Sequence, residues 1–88
     1  MDREVSILIA DDNKNLVNIM KDYINKTEGM HVSGVAYDGA EALEMIEKLR
    51  PDIVILDIIM PKLDGIGVLE KVRALYPEYA PIFIVLTA

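Results

Sequence analysis

Apolar residues fall along this chain in two rhythms. Val5-Ser6-Ile7-Leu8-Ile9-Ala10, Ile53-Val54-Ile55-Leu56 and Ile82-Phe83-Ile84-Val85-Leu86 are short, nearly continuous apolar runs rich in β-branched residues. Such runs predict buried strands of a parallel sheet. A shorter, more polar run at residues 31–36 predicts a strand near the sheet edge. Between the runs the spacing becomes helical. Leu16, Ile19, Met20, Tyr23 and Ile24 recur at i, i+3, i+4, i+7 and i+8. Ala42, Met45, Ile46 and Leu49 form a second stripe, and Val68, Leu69, Val72 and Leu75 a third.

The punctuation agrees with the rhythm. Asp12 or Asn13, then Asp38, then Asp64 stand where helix N-caps are expected, since their side chains can accept from unpaired amides of the first turn. Glu28-Gly29, Arg50-Pro51 and Tyr76-Pro77 mark the helix ends, a residue before proline being steered out of helical geometry. The order β-α-β-α-β-α-β implies one parallel sheet with right-handed crossovers and helices on its faces. After the last run only Thr87-Ala88 remain, so nothing follows to cover that strand. Bare apolar edges are rare. A truncated chain, a swapped assembly or a partner that completes the sheet would each account for it.

Composition narrows the function. Eighty-eight residues make one small domain, and 52% hydrophobic content supplies a core. A domain of this size buries only roughly 60–65% of its unfolded surface, so each element matters. The net charge of −6 argues against direct nucleic-acid binding and suits a site that gathers carboxylates around a cation. The absence of cysteine excludes disulfides and thiolate chemistry, and the lone His31 cannot build a metal site or a triad alone. The start is charged, and the apolar run behind it is too short for a signal peptide or membrane span, so a cytoplasmic protein is expected.

Two strands end in acid: Asp11-Asp12 after the first and Asp57 after the third. Parallel strands point one way, so these acids and Thr87, after the fourth strand, belong to the same C-terminal edge. That edge is where open α/β sheets bind ligands. If strands one and three are neighbours, three carboxylates converge. Two of them about 5 Å apart repel by roughly 3 kcal/mol at an effective dielectric near 20. A hard divalent cation such as Mg²⁺ relieves that repulsion and accepts a phosphoryl oxygen as a further ligand. Each feature alone has a plainer reading: Asp11-Asp12-Asn13 as a helix cap, Asp57 as a turn residue, Thr87 as an ordinary hydroxyl. Their combination in this spacing is specific.

Ile9-Ala10-Asp11-Asp12-Asn13, Leu56-Asp57-Ile58-Ile59-Met60-Pro61-Lys62-Leu63-Asp64-Gly65 and Val85-Leu86-Thr87-Ala88 together resemble the receiver domain of bacterial two-component response regulators. Residues 56–69 with Gly34-Val35-Ala36-Tyr37 look most like the sporulation-regulator receivers of endospore-forming bacteria. The resemblance covers the whole chain and implies a flavodoxin-like α/β fold of about four strands and three helices. It implies that residues 1–88 lack the family's last strand and last two helices; the bare apolar edge of the last strand makes dimerisation or strand exchange one way of completing the sheet.

It also implies roles. Asp57 would accept a phosphoryl group from a phosphohistidine on a histidine kinase or phosphotransfer protein, to control a DNA-binding output elsewhere. Asp11, Asp12, Asp57 and the Ile59 main-chain carbonyl would hold Mg²⁺, with Ca²⁺ or Mn²⁺ as substitutes. Thr87 would be the switch hydroxyl, Ala88 the small residue beside the phosphoryl group, and Pro61 and Gly65 would shape the loop. Such a domain is a phosphoacceptor rather than a free-standing enzyme, with no membrane or nucleic-acid contact of its own. The family's phosphoryl-pairing Lys and aromatic switch residue fall beyond Ala88, which keeps open a non-switching pseudo-receiver that only mediates protein contacts. A haloacid dehalogenase-type phosphatase would carry a second Asp two positions after Asp57, where Ile59 stands. A nucleotide- or flavin-binding module fares no better, because Glu70 occupies the third glycine position after Gly65 and Gly67.

Overall fold

A computed structural model of the chain describes residues 4–86. The elements are β1 (Val5–Ala10), α1 (Lys14–Asn25), β2 (Met30–Ala36), α2 (Gly39–Leu49), β3 (Ile53–Asp57), α3 (Gly65–Leu75) and β4 (Ile82–Leu86). The four strands form one parallel sheet in the order β2-β1-β3-β4. This is the flavodoxin-like α/β fold expected from the sequence, and β2 is the edge strand its polarity suggested. Thr87 and Ala88 lie outside the described residues.

Apolar residues sort by sheet face. Ile7 and Ile9 pack with Val17 and Ile24 of α1 on one side. Leu8, Ala10, Val54 and Leu56 pack with Ala42 and Ile46 of α2 and Val68 and Val72 of α3 on the other. Because β1 is covered on both faces, its run is apolar at consecutive positions rather than alternate ones. Caps fall at Asn13, Asp38 and Asp64, whose side chains accept from the amides of Leu16 (3.1 Å), Glu41 (2.8 Å) and Gly67 (2.8 Å).

Three expectations need correction. The buried face of α1 is Val17 and Ile24 with Met20 partly covered, while Leu16, Ile19 and Tyr23 are exposed. At 100° per residue Val17, Met20 and Ile24 share one side of the helix, and the covered face is rotated toward it, leaving the Leu16, Ile19 and Tyr23 side to solvent. Leu49 and Leu75, at the last positions of α2 and α3, are likewise exposed where those helices run off the sheet. The strand β4 is not buried: Ile82, Ile84 and Val85 are exposed, because β4 borders only β3.

Candidate functional site

The site is assembled by strand register. Ala10 pairs with Leu56 across β1 and β3, so the next residue of each chain segment, Asp11 and Asp57, emerges at the same level of the C-terminal edge. Asp12 follows on the turn into α1. One carboxylate oxygen from each of Asp11, Asp12 and Asp57 lies within 4.8 Å of the other two. The three differ in exposure: Asp11 is only 3% exposed, Asp57 is half-buried and Asp12 faces solvent.

Local hydrogen bonds hold Asp11 and Asp57 in place. The amide of Asp11 donates to the Ala36 carbonyl at 3.0 Å, tying the turn to β2. The Asn13 amide donates to Asp11 Oδ1 at 2.9 Å, and the Ile59 amide donates to Asp57 Oδ1 at 3.2 Å. Each acid thus closes an Asx turn over the two residues that follow it. Burial pushes the Asp11 carboxyl above its ordinary pKa. The Asn13 amide works against that rise, and the nearby charges of Asp57 and Asp12 add to it. An oxygen-only cluster with one desolvated member fits a hard divalent cation, which would favour the ionised form of all three.

The loop after Asp57 is anchored along its length. The Gly65 amide donates to the Ile58 carbonyl at 2.8 Å, closing the loop at its base, and the Ile58 amide donates to the Leu86 carbonyl at 3.2 Å. A Cβ on Gly65 would overlap the Asp57 carbonyl, so only glycine permits this return. Met60 is 7% exposed and sits in the core with Ala42. Pro61 is exposed, and its carbonyl accepts from the amides of Leu63 (2.8 Å) and Gly39 (3.2 Å). Ile59 is 72% exposed beside the acids.

Among the expected site residues, the structure brings Asp11, Asp12, Asp57 and the loop bearing Ile59, Pro61 and Gly65 together. Thr87 and Ala88 lie outside the described residues. Sequence reading overlooked the Gly39 contact, for which Asp38-Gly39 gave only a turn signal. It also overlooked Lys14, whose ammonium lies 5.3 Å from the centre of the Tyr37 ring above the β2–α2 turn. Two surface hollows, one lined by Val72, Tyr76, Tyr79 and Phe83 and one by Asp38, Glu41, Glu44 and Lys62, do not include the three acids.

A flavodoxin-like parallel sheet thus gathers three carboxylates where β1 and β3 end, the edge at which open α/β sheets bind ligands. Residues 7–88 match the family model of the response regulator receiver domain, and the chain belongs to that family. Solved structures agree. The response regulator domain of CheB from Thermotoga maritima is 35% identical with a TM-score of 0.86, over 97% of this chain and 61% of that one. The signal receiver domain of the response regulator NarL from Mycobacterium tuberculosis is 30% identical with a TM-score of 0.90, over 98% of this chain and 68% of that one. A chain of the CheX–CheY complex with BeF₃ and Mg²⁺ from Borrelia burgdorferi is 32% identical with a TM-score of 0.85, over 98% of this chain and 63% of that one. Receiver domains are generally phosphoacceptors that bind Mg²⁺ at an acidic cluster, and this chain has such a cluster. Among the described residues no helix is long and apolar enough to cross a membrane.

Proposed function

We propose that the chain is a phosphoacceptor switch in which Asp57 takes a phosphoryl group from a phosphohistidine. The observation that carries this reading is the half-buried Asp57 at the end of β3 with oxygens of Asp11 and Asp12 within 4.8 Å. A carboxylate oxygen of Asp57 attacks phosphorus in line, a P–O bond forms, and the P–N bond to the donor imidazole breaks. The imidazole nitrogen leaves with the bonding pair and takes a proton from water. Asp11, Asp12, Asp57 and the Ile59 carbonyl would hold Mg²⁺, which when bound neutralises the acids and the transferring phosphoryl oxygens. The Asx turn from the Ile59 amide to Asp57 Oδ1 leaves Oδ2 as the freer oxygen for attack. Asp11 and Asp12 would act as ligands, Asp11 held by the Asn13 amide, while the family pattern assigns Thr87 to a phosphoryl oxygen and Ala88 to the space beside it.

The partners of this reading are a histidine kinase or phosphotransfer protein in the cytoplasm and a transcriptional output of the sporulation type. The presence of BeF₃ and Mg²⁺ in the CheX–CheY relative supports the phosphoryl and cation assignments by analogy. The exposed apolar residues of β4 favour a second, compatible reading, self-association along that strand. Mass spectrometry after incubation with a phosphohistidine donor and Mg²⁺ tests the main proposal. One phosphoryl group is expected, lost in Asp57→Asn and without Mg²⁺; label retained at another residue in that variant overturns it. Light scattering tests the second, which a strictly monomeric chain would exclude.

A further inference from the structure

We propose that the N-terminus of α2, through Gly39, positions the β3–α3 loop for cation binding, so that occupancy of the acid cluster and placement of the first turn of α2 are linked. This inference rests on reading Asp11, Asp12 and Asp57 as a cation site. Residues 58–64 carry the main-chain group assigned to the cation, and their far end is seated on α2. The Pro61 carbonyl accepts from Gly39 N–H at 3.2 Å as well as from Leu63 N–H at 2.8 Å. Between them Lys62 adopts φ 72°, a left-handed conformation that residues with a Cβ rarely take and that neighbouring contacts must hold in place. Its ammonium lies 3.6 Å from Asp38 Oδ2, a second link from the loop tip to the cap of α2.

The glycine is there for space. The left-handed glycine of the chain is Gly29, not Gly39. At the first position of a helix, glycine is a poor choice on propensity alone. A Cβ at Gly39, however, would overlap the Leu63 carbonyl oxygen, so any side chain must push loop and helix apart. The helix end offers little give. Asp38 accepts from the Glu41 amide at 2.8 Å, and Glu41 reaches back to the Tyr37 amide at 2.8 Å, fixing the turn from both sides. The loop offers little more, being closed at its base by Gly65 and held in the core by Met60. A shift at Ile59 on cation binding therefore reaches Pro61, Leu63 and Gly39, and by reciprocity the seat acts back on the cation. Gly39 is a positioning residue, not a ligand.

The test is an Mg²⁺ titration of the 88-residue chain followed by amide NMR, with Gly39→Ala and Gly34→Ala compared. Gly34 is the control because the atoms its Cβ would meet first are flexible side-chain ends, of Leu49 and Met45 in the later turns of α2 and of Leu8 on β1, rather than the loop backbone. In the wild type, saturable shifts are expected at residues 10–13 and 57–60, with Gly39 and Leu63 following at the same midpoint. Gly39→Ala should weaken Mg²⁺ binding by about tenfold, the size typical of losing a supporting contact around metal ligands. Gly34→Ala should leave the midpoint unchanged. If the acids respond while Gly39 and Leu63 stay silent, or if folded Gly39→Ala binds as the wild type does, the linkage is wrong and the cation site stands. If the wild type shows no saturable shift at the acids, both readings fall. Should Gly39→Ala not fold, the wild-type response of Gly39 and Leu63 decides alone.

Discussion

Asp11 and Asp57 leave adjacent strands at the same level, one residue past the register pair Ala10 and Leu56. Two like charges are thereby held together, one of them on a residue only 3% exposed. Without a cation this arrangement opposes folding. Burial first, and then the charges of Asp57 and Asp12, raise the Asp11 carboxyl above the ordinary 3.8, against the Asn13 amide. The folded state therefore holds that proton more tightly than the unfolded chain does. Stability from this group is full below the ordinary value and is lost as pH rises through the raised one.

The first prediction follows from that sign. In chelator at neutral pH, Asp11→Asn should melt higher than the wild type, because the repulsion is gone. With saturating Mg²⁺ the order should reverse, and the variant should bind Mg²⁺ more than about tenfold more weakly. Thermal melts with and without Mg²⁺ check both. A variant less stable than wild type in chelator would show that repulsion and burial at Asp11 do not oppose folding, since Asn keeps an Oδ1 to accept from the Asn13 amide.

This convergence was legible in the sequence because it depends on strand direction alone. Runs ending in Asp11-Asp12 and Asp57 must share an edge once the sheet is parallel, and β1 beside β3 then brings them together. What the sequence did not disclose depends on close approach. That Gly39 lies against Leu63, or that Ser6 meets Asp52, follows from how far a loop folds back and has no periodic signal. The helix faces were half legible. Val17 was overlooked because Leu16, Ile19 and Tyr23 fit the spacing equally well, and only the tilt of α1 over β1 and β2 decides which side is covered.

The corrected face of α1 gives a second prediction. Val17 is fully buried between the helix and Ile7 and Ile9, so Val17→Ala should cost about 2 kcal/mol in lost burial and cavity. Ile19 is 67% exposed, and Ile19→Ala should change stability by less than about 0.5 kcal/mol. Urea denaturation of the two variants checks the contrast, and equal losses would restore the wider stripe.

At the opposite edge from the acids, Ser6 and Asp52 are joined reciprocally. The Asp52 carboxylate accepts from the Ser6 amide at 2.9 Å and its hydroxyl at 3.2 Å, and the Asp52 amide donates to Ser6 Oγ at 3.1 Å. The Asp52 carbonyl also takes the first amide of β4 from Ile82 at 3.0 Å. This knot fixes the start of three strands and so the register that aligns Asp11 with Asp57. Asp52→Ala should lose about 2 kcal/mol, as for a hydrogen-bonded charged acceptor, and Ser6→Ala about 1 kcal/mol. A double variant losing less than the sum of the singles would establish their coupling.

Near the same edge, Tyr79 lies under the guanidinium of Arg50, 4.9 Å from its ring centre, and its hydroxyl donates to the Pro51 carbonyl. The hydroxyl must shed its proton to ionise, and with it that hydrogen bond. Burial pushes its pKa from 10.0 up to about 12, with Arg50 pulling it down and Asp52 adding to the rise. The folded state thus binds the phenolic proton more tightly than the unfolded chain. Its contribution is fully present below pH 10 and is lost as pH climbs through about 12. Ultraviolet titration should show one of the four tyrosines ionising near 12, and Tyr79→Phe should remove that latest step. The same variant should cost about 1 kcal/mol at neutral pH, the value of one neutral hydrogen bond. It should also flatten the loss of stability between pH 10 and 12. If no tyrosine ionises near 12, or Tyr79→Phe leaves that step in place, Tyr79 is solvated and the stack with Arg50 does not hold the C-terminal end of α2 against the α3–β4 turn.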